Sequence, residues 1–130
     1  MNVSINDKCP CNSGLKYKKC CKSYHDGRVA KNALILMCSR YSAYARKEYK
    51  YIIKTTHEST RDSDFQNVKE FSKQTTFQNL EIIEFIDGEK EAYVTFKASI
   101  LSDGKDSSFI EKSRFLNEKN IWYYVDGDIQ

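Results

Sequence analysis

Four of the five cysteines in this 130-residue chain fall close together, as Cys9, Cys11, Cys20 and Cys21, in the stretch Cys-Pro-Cys-Asn-Ser-Gly-Leu-Lys-Tyr-Lys-Lys-Cys-Cys. Thiolates are soft ligands, and four of them in a tetrahedron form a closed structural zinc site. Two ligand pairs joined by a loop of eight residues can wrap a single ion. Pro10 restricts the backbone between the first pair, and Gly14 lets the loop turn back through positive φ. A segment this short cannot bury a core, so the metal itself must supply its folding energy. Apparent zinc-binding energies in small peptides are about 10–16 kcal/mol. The alternative is disulfide bonding, but adjacent Cys20 and Cys21 could pair only in a strained geometry. Clustered thiols in a reducing compartment hold metals more often than they cross-link. Four thiolates leave no open position for an activated water. The expected cofactor is therefore one structural Zn²⁺, which argues against metal-assisted hydrolysis.

Charge follows the cysteines. Residues 1–28 carry six Lys or Arg against Asp7 and Asp26, whereas the rest of the chain has 15 basic and 16 acidic residues. The whole basic excess therefore sits on the cysteine segment. Lys16, Lys18, Lys19 and Lys22 would offset the −2 charge of a four-thiolate zinc site and favour the thiolate forms. They are also candidates for docking an acidic protein surface or nucleic-acid phosphate. No apolar run approaches the roughly 20 residues that span a bilayer, and the N-terminus lacks the apolar stretch of a signal peptide. A cytoplasmic protein is expected.

The elements behind the cysteines change period partway along the chain. From about Val29, Ala30, Ala33, Leu34, Met37, Tyr41 and Ala45 recur at three- and four-residue intervals, marking one apolar face of a long helix. Cys38 falls on this face and reads as a small core hydrophobe. Shorter helices are expected over Glu48 to Thr55 and Asn67 to Gln74, with a polar loop from Thr56 to Asp64 between them. Ala92, Val94, Phe96, Ala98 and Ile100 then alternate with polar or exposed-face residues, the period of a half-buried strand. Phe77 to Ile86, Phe109 to Glu118 and Ile121 to Asp126 supply three more candidate strands, with Asp87-Gly88 and Asp103-Gly104 as tight turns. Helices first and an antiparallel meander second make an α+β domain.

Cys9, Cys11, Ser13, Gly14, Tyr17, Cys20 and Cys21 together match the SEC-C motif, the zinc segment of the SecA translocation ATPase. Asn12 stands where the motif usually has glycine, and Leu15 where it usually has lysine. Leu36 to Tyr44, Thr56-His57, Phe109 to Phe115 and Trp122 to Gly127 extend the likeness, so that nearly the whole chain resembles the YchJ-like family. The resemblance implies a SEC-C zinc module over residues 1–26 and an NTF2-like domain over 27–130, a curved antiparallel sheet wrapped on a long helix. It implies no established activity, and a homodimer through the open sheet face would be in keeping with the fold.

The mouth of such a cone often binds a ligand. Pairing across a turn at Asp103 to Asp106 sets Ala98 near Glu111 and Phe96 near Ser113, and the next hairpin sets Tyr124 near Ser113 and Trp122 near Phe115. One face then carries Glu111, Ser113, Phe96, Phe115, Trp122 and Tyr124. Glu111, Ser113, Tyr124, His57 and Arg40 are the pocket candidates; no nucleophile, base and orienting group stand out as a catalytic set. The plain alternative pairs Glu111 with Arg40 or Arg114, holding sheet to helix. The function expected is binding: a basic SEC-C surface docking a protein or ribosome-associated partner. Its rivals are a small-ligand protein or enzyme using the cone, and RNA association through the lysines.

Overall fold

The computed structural model describes residues 4–62 and 65–130. The expected loop from Thr56 to Asp64 therefore includes two residues, and the expected module over 1–26 three, that lie outside the described part. The cysteine segment opens the chain as a tight knuckle, in which Lys8 and Lys16 bridge antiparallel. A 3-10 turn at Tyr17–Lys19 and a short helix α1 (Cys21–His25) follow. The long helix α2 runs Ala33–Arg46, then come α3 (Tyr49–Lys54) and α4 (Gln66–Gln74). Helix α2 begins later than the apolar stripe because Asn32 caps it: the side-chain oxygen accepts from Ile35 N at 2.8 Å. Its C-terminal cap, Lys47, is left-handed at φ 63°. No helix among the described residues is long and apolar enough to cross a membrane.

The sheet has strand order β1-β2-β4-β5, formed by β1 (Thr75–Ile86), β2 (Glu91–Ser102), β4 (Phe109–Glu118) and β5 (Ile121–Ile129). A two-residue strand, β3 (Lys105–Asp106), pairs with the end of β2. All pairings are antiparallel. Edge strand β1 carries two register shifts against β2, and β5 carries one against β4. Bulges bend the strand that holds them and increase twist, and here they curl the sheet around α2.

The register differs from the sequence-based expectation by two residues, for a local reason. Asp103 and Gly104, at φ 49° and 82°, form a two-residue turn with both centres left-handed, so Ser102 pairs with Lys105 and the hairpin is tighter than a turn ending at Asp106. Phe96 therefore faces Glu111, and Ala98 faces Phe109. Lys119 and Asn120 form the same kind of turn, at φ 55° and 68°, which pairs Phe115 with Tyr124 and Asn117 with Trp122. An even slip keeps every side chain on its expected face, so Phe96, Ser113, Phe115 and Trp122 are all buried. Asp87-Gly88 is not a tight turn: Ile86 pairs with Tyr93, so the loop is longer.

One buried cluster runs from Cys9, Cys11, Tyr17 and Cys21, through Leu36 and Met37 of α2, to Val94, Phe96 and Phe115 of the sheet. Each large apolar side chain so buried contributes roughly 1.5–3 kcal/mol. Helix α2 lies between the two functional regions and touches both.

Candidate metal centre and ligand pocket

The four cysteine sulfurs lie within 4.8 Å of one another. Cys11 and Cys20 Sγ are 3.6 Å apart, and Cys20 and Cys21 Sγ are 4.0 Å apart. Zinc–sulfur bonds of about 2.3 Å in a tetrahedron set the sulfurs about 3.8 Å apart, so the donor set fits a metal ion of this size. Backbone geometry makes the convergence possible. Cys9 N donates to Leu15 O and Asn12 N to Cys9 O, folding the loop back on itself, while Asn12 and Gly14 take positive φ, 67° and 84°. Asn12 thus meets the conformation its position demands, as Asn tolerates it better than most side chains. Its amide also donates to Leu80 O on β1 at 3.3 Å.

The surroundings favour charge at the sulfurs. Ser42 Oγ on α2 lies 3.5 Å from Cys9 Sγ, and Ser13 Oγ lies 3.2 Å from Cys20 Sγ. A thiolate can only accept, so both hydroxyls would donate to ligating sulfur. Without a cation the cluster cannot hold four negative charges. Donation from Cys11 and Cys21 pulls the Cys9 thiol far below its ordinary value. Contact with Cys11, then Cys9, pushes Cys21 far above it. Cys21 pulls Cys11 downward, but contact with Cys9, together with burial, leaves it at about 12. A divalent ion removes this conflict.

The motif tyrosine anchors the loop to the rest of the fold. Tyr17 is buried, with the Arg46 guanidinium 4.0 Å from its ring centre. Its hydroxyl lies 2.6 Å from His25 Nδ1, and His25 Nε2 lies 2.8 Å from the carbonyl of Ser39 on α2. A carbonyl only accepts, so Nε2 carries the proton and Nδ1 accepts from Tyr17. Burial lowers the His25 pKa, against smaller opposing pulls from Ser39 and nearby acids. Cys38, the fifth cysteine, is half-buried on α2, and burial pushes its thiol up to about 11.

The lysines divide. Lys16, Lys18 and Lys19 are exposed, and among the described residues no carboxylate lies within ion-pair distance of them. Lys22 instead pairs with Asp26 at 2.5 Å, one turn along the same helix.

On the opposite side of α2 a pocket of about 280 Å³ opens between helix and sheet. Four of the five residues expected there line it: Arg40, Glu111, Ser113 and Tyr124. His57 does not. It stands beside the start of β5 with its Nε2 on Glu118 and its Nδ1 2.7 Å from Ser59 Oγ. Backbone bonds between Thr55, His57 and Tyr124 place it there.

The pocket floor is polar. Arg40 is 4% exposed, and its Nη1 donates to Ile52 O (3.0 Å), Thr55 Oγ1 (2.7 Å) and Thr56 Oγ1 (3.1 Å). Its guanidinium carbon lies 4.4 Å from the Tyr124 ring centre. Burial depresses the Arg40 pKa. Glu111 Oε2 accepts from Ser113 Oγ at 2.5 Å and from the Tyr124 hydroxyl at 3.4 Å. Glu111 pairs with neither arginine considered for it, since Arg114 Nε donates to Glu91 Oε1 at 2.6 Å on the outer face of the sheet. The walls are aromatic: Tyr44, Phe71 and Phe77 form a collar with ring centres 5.5–6.4 Å apart, and Phe96 meets Phe109 edge to face.

Several contributors had escaped sequence reasoning. Gly127 is one: a Cβ there would sit 2.2 Å from Glu111 Oε2, so its bare backbone gives the carboxylate its resting place. Thr55 and Thr56, which hold Arg40, are others. The helical spacing of Met37, Arg40, Tyr41 and Tyr44 carried a signal, an arginine inside an apolar stripe.

A cysteine knuckle of SEC-C type fused to an NTF2-like cone is the class of protein that this fold and these sites define. The sequence matches the family model described as YchJ, middle NTF2-like domain over residues 32–127, and the SEC-C motif over residues 6–23. The chain belongs to this YchJ-like, UPF0225 family. It is similar to a UPF0225 protein of Enterobacter sp. (strain 638), 41% identical over 92% of this chain and 81% of that one. Among solved structures it resembles a SEC-C motif containing protein from Rhodopseudomonas palustris, with TM-score 0.85, 31% identity, and 92% and 96% of the two chains covered. It also resembles one from Psychrobacter arcticus, with TM-score 0.81, 29% identity, and 94% and 82% covered.

Proposed function

We propose that this is a small-ligand-binding protein whose working site is the cone pocket, and that Cys9, Cys11, Cys20 and Cys21 hold one structural Zn²⁺ clamping the chain's start onto α2. The observation that carries the first half is the buried Arg40, which faces an aromatic pocket with no carboxylate within ion-pair distance of it among the described residues. Had Glu111 closed on Arg40 or Arg114, the polar floor would be a structural pin and docking through the knuckle the stronger reading. An apolar pocket with a few convergent polar groups is the usual form of a ligand site. The test is a ligand-observed NMR screen of small aromatic fragments against the protein and its Ala98→Trp variant, which fills the pocket. Fragments bound by the first and excluded by the second are expected; no fragment behaving this way would sink the reading.

The metal half rests on four converging sulfurs with two hydroxyls aimed at them. Elemental analysis should find one zinc per chain, lost in Cys9→Ser and Cys20→Ser. A second reading retains a docking role for the exposed Lys16, Lys18 and Lys19, for an acidic protein or RNA. Binding that weakens steeply with rising salt and with charge reversal at these lysines would support it.

A further inference from the structure

The floor of the pocket is incompletely satisfied on both sides. Arg40 spends Nη1 on three acceptors, while among the described residues its Nε and Nη2 have no hydrogen-bond partner. This is the edge with which a guanidinium grips an acceptor in two parallel bonds. Glu111 uses only Oε2, and its Oε1 likewise has no partner among the described residues. Both groups touch Tyr124, Arg40 over the ring and Glu111 at the hydroxyl, so the open donor edge and the open acceptor border one space. Ser72 Oγ is the only fully buried side-chain polar atom without a partner among the described residues. The open atoms of Arg40 and Glu111 are therefore reached through the pocket, where a ligand that bonds both replaces water.

Resting on the ligand-binding reading above, we infer that the pocket takes a small uncharged planar ring compound that presents a carbonyl-type acceptor to Arg40 and an N–H or O–H donor to Glu111. Lactams and related heteroaromatic amides have this chemistry. Charge argues for neutrality: an anion drawn to Arg40 meets Glu111, and a cation drawn to Glu111 meets Arg40. Shape argues for flat rings, since Tyr44, Phe77, Phe96 and Phe109 offer faces and edges to stack against. Size argues for one or two rings, because about 280 Å³ lies at the lower end of small-molecule sites.

Three matched probes test this by isothermal titration: 2-quinolinone, N-methyl-2-quinolinone without the donor, and quinoline-2-carboxylate with an anionic head. The lactam should bind at least about tenfold more tightly than either relative, the margin of one hydrogen bond to a charged group. Glu111→Gln should shrink its advantage over the N-methyl compound, and Arg40→Lys, which keeps the charge but loses the planar edge, should weaken both lactams. Tightest binding by the carboxylate, undiminished in Glu111→Gln, would overturn the inference in favour of an anion site. Equal binding of all three would overturn it in favour of a purely apolar pocket. Failure of all three while other fragments are excluded by Ala98→Trp overturns the inference alone. Failure of every fragment removes the cone reading with it.

Discussion

The cysteine knuckle and the cone pocket lie on opposite sides of α2, and they differ in how completely their polar groups are used. In the knuckle every functional atom points inward: four sulfurs converge, Ser13 and Ser42 aim at them, and Tyr17 and His25 close the ring of contacts on the Ser39 carbonyl. In the pocket the same helix supplies Arg40, whose Nε and Nη2 have no hydrogen-bond partner among the described residues. A closed set of partners marks a site built to hold structure, whereas an open set marks one built to receive something. The distinction follows from which polar atoms protein partners close off and which stay accessible through the pocket.

The largest expected effect comes from removing the metal. Cys9, Tyr17 and Cys21 share one buried cluster with α2 and the sheet. Chelation should therefore cost several kcal/mol, a large part of the ~5–15 kcal/mol that stabilises an ordinary domain. Unfolding followed by circular dichroism should show one transition, at lower temperature. Two transitions, with the cone unaffected, would instead divide the chain near residues 26 and 27.

His25 comes next. Its pKa is lowered by burial, so the folded protein binds this proton less readily than the unfolded chain. That contribution is complete above about pH 6.5 and drains away as the pH falls through that value toward the folded pKa. His25→Phe should cost about 2 kcal/mol through its two lost bonds and should flatten the pH dependence of urea unfolding between neutral and mildly acid pH. An unchanged slope would assign that dependence to the cysteines.

Gly127→Ala should displace Glu111 and cost about 1–2 kcal/mol, with a proportionally greater loss of pocket binding by calorimetry. Arg40→Met should cost less than about 1 kcal/mol, because Thr55 Oγ1 still bonds Tyr51 O and Ile52 O still accepts from Thr56 Oγ1, and the guanidinium no longer has to be desolvated. A loss above about 3 kcal/mol in thermal unfolding would make Arg40 a structural residue. Asn12→Gly should be smallest, within about 0.5 kcal/mol, since relief at φ 67° offsets the lost bond to Leu80 O.

The knuckle was legible in the sequence because its chemistry is local: ligand types, spacing and turn residues sit within thirteen consecutive positions. The sheet was legible through its alternation, and even its register error preserved the faces, so Glu111, Ser113 and Tyr124 reached the pocket. What could not be read was set by long-range geometry. The support of Arg40 by Thr55 and Thr56 depends on how α3 packs against α2. The collar brings Tyr44 of α2 against Phe71 and Phe77 of the later α4 and β1, a contact across distant parts of the chain. His57 was misplaced because nothing local says that Thr55 and His57 pair with Tyr124.

A cobalt-substituted protein tests the contrast most directly, through titration with 2-quinolinone while heat and the cobalt absorption bands are followed together. The closed knuckle and open pocket predict saturable heat with cobalt bands of a four-thiolate tetrahedron that do not move. Cobalt bands that shift with the ligand would contradict the division, because the metal would then belong to the binding site.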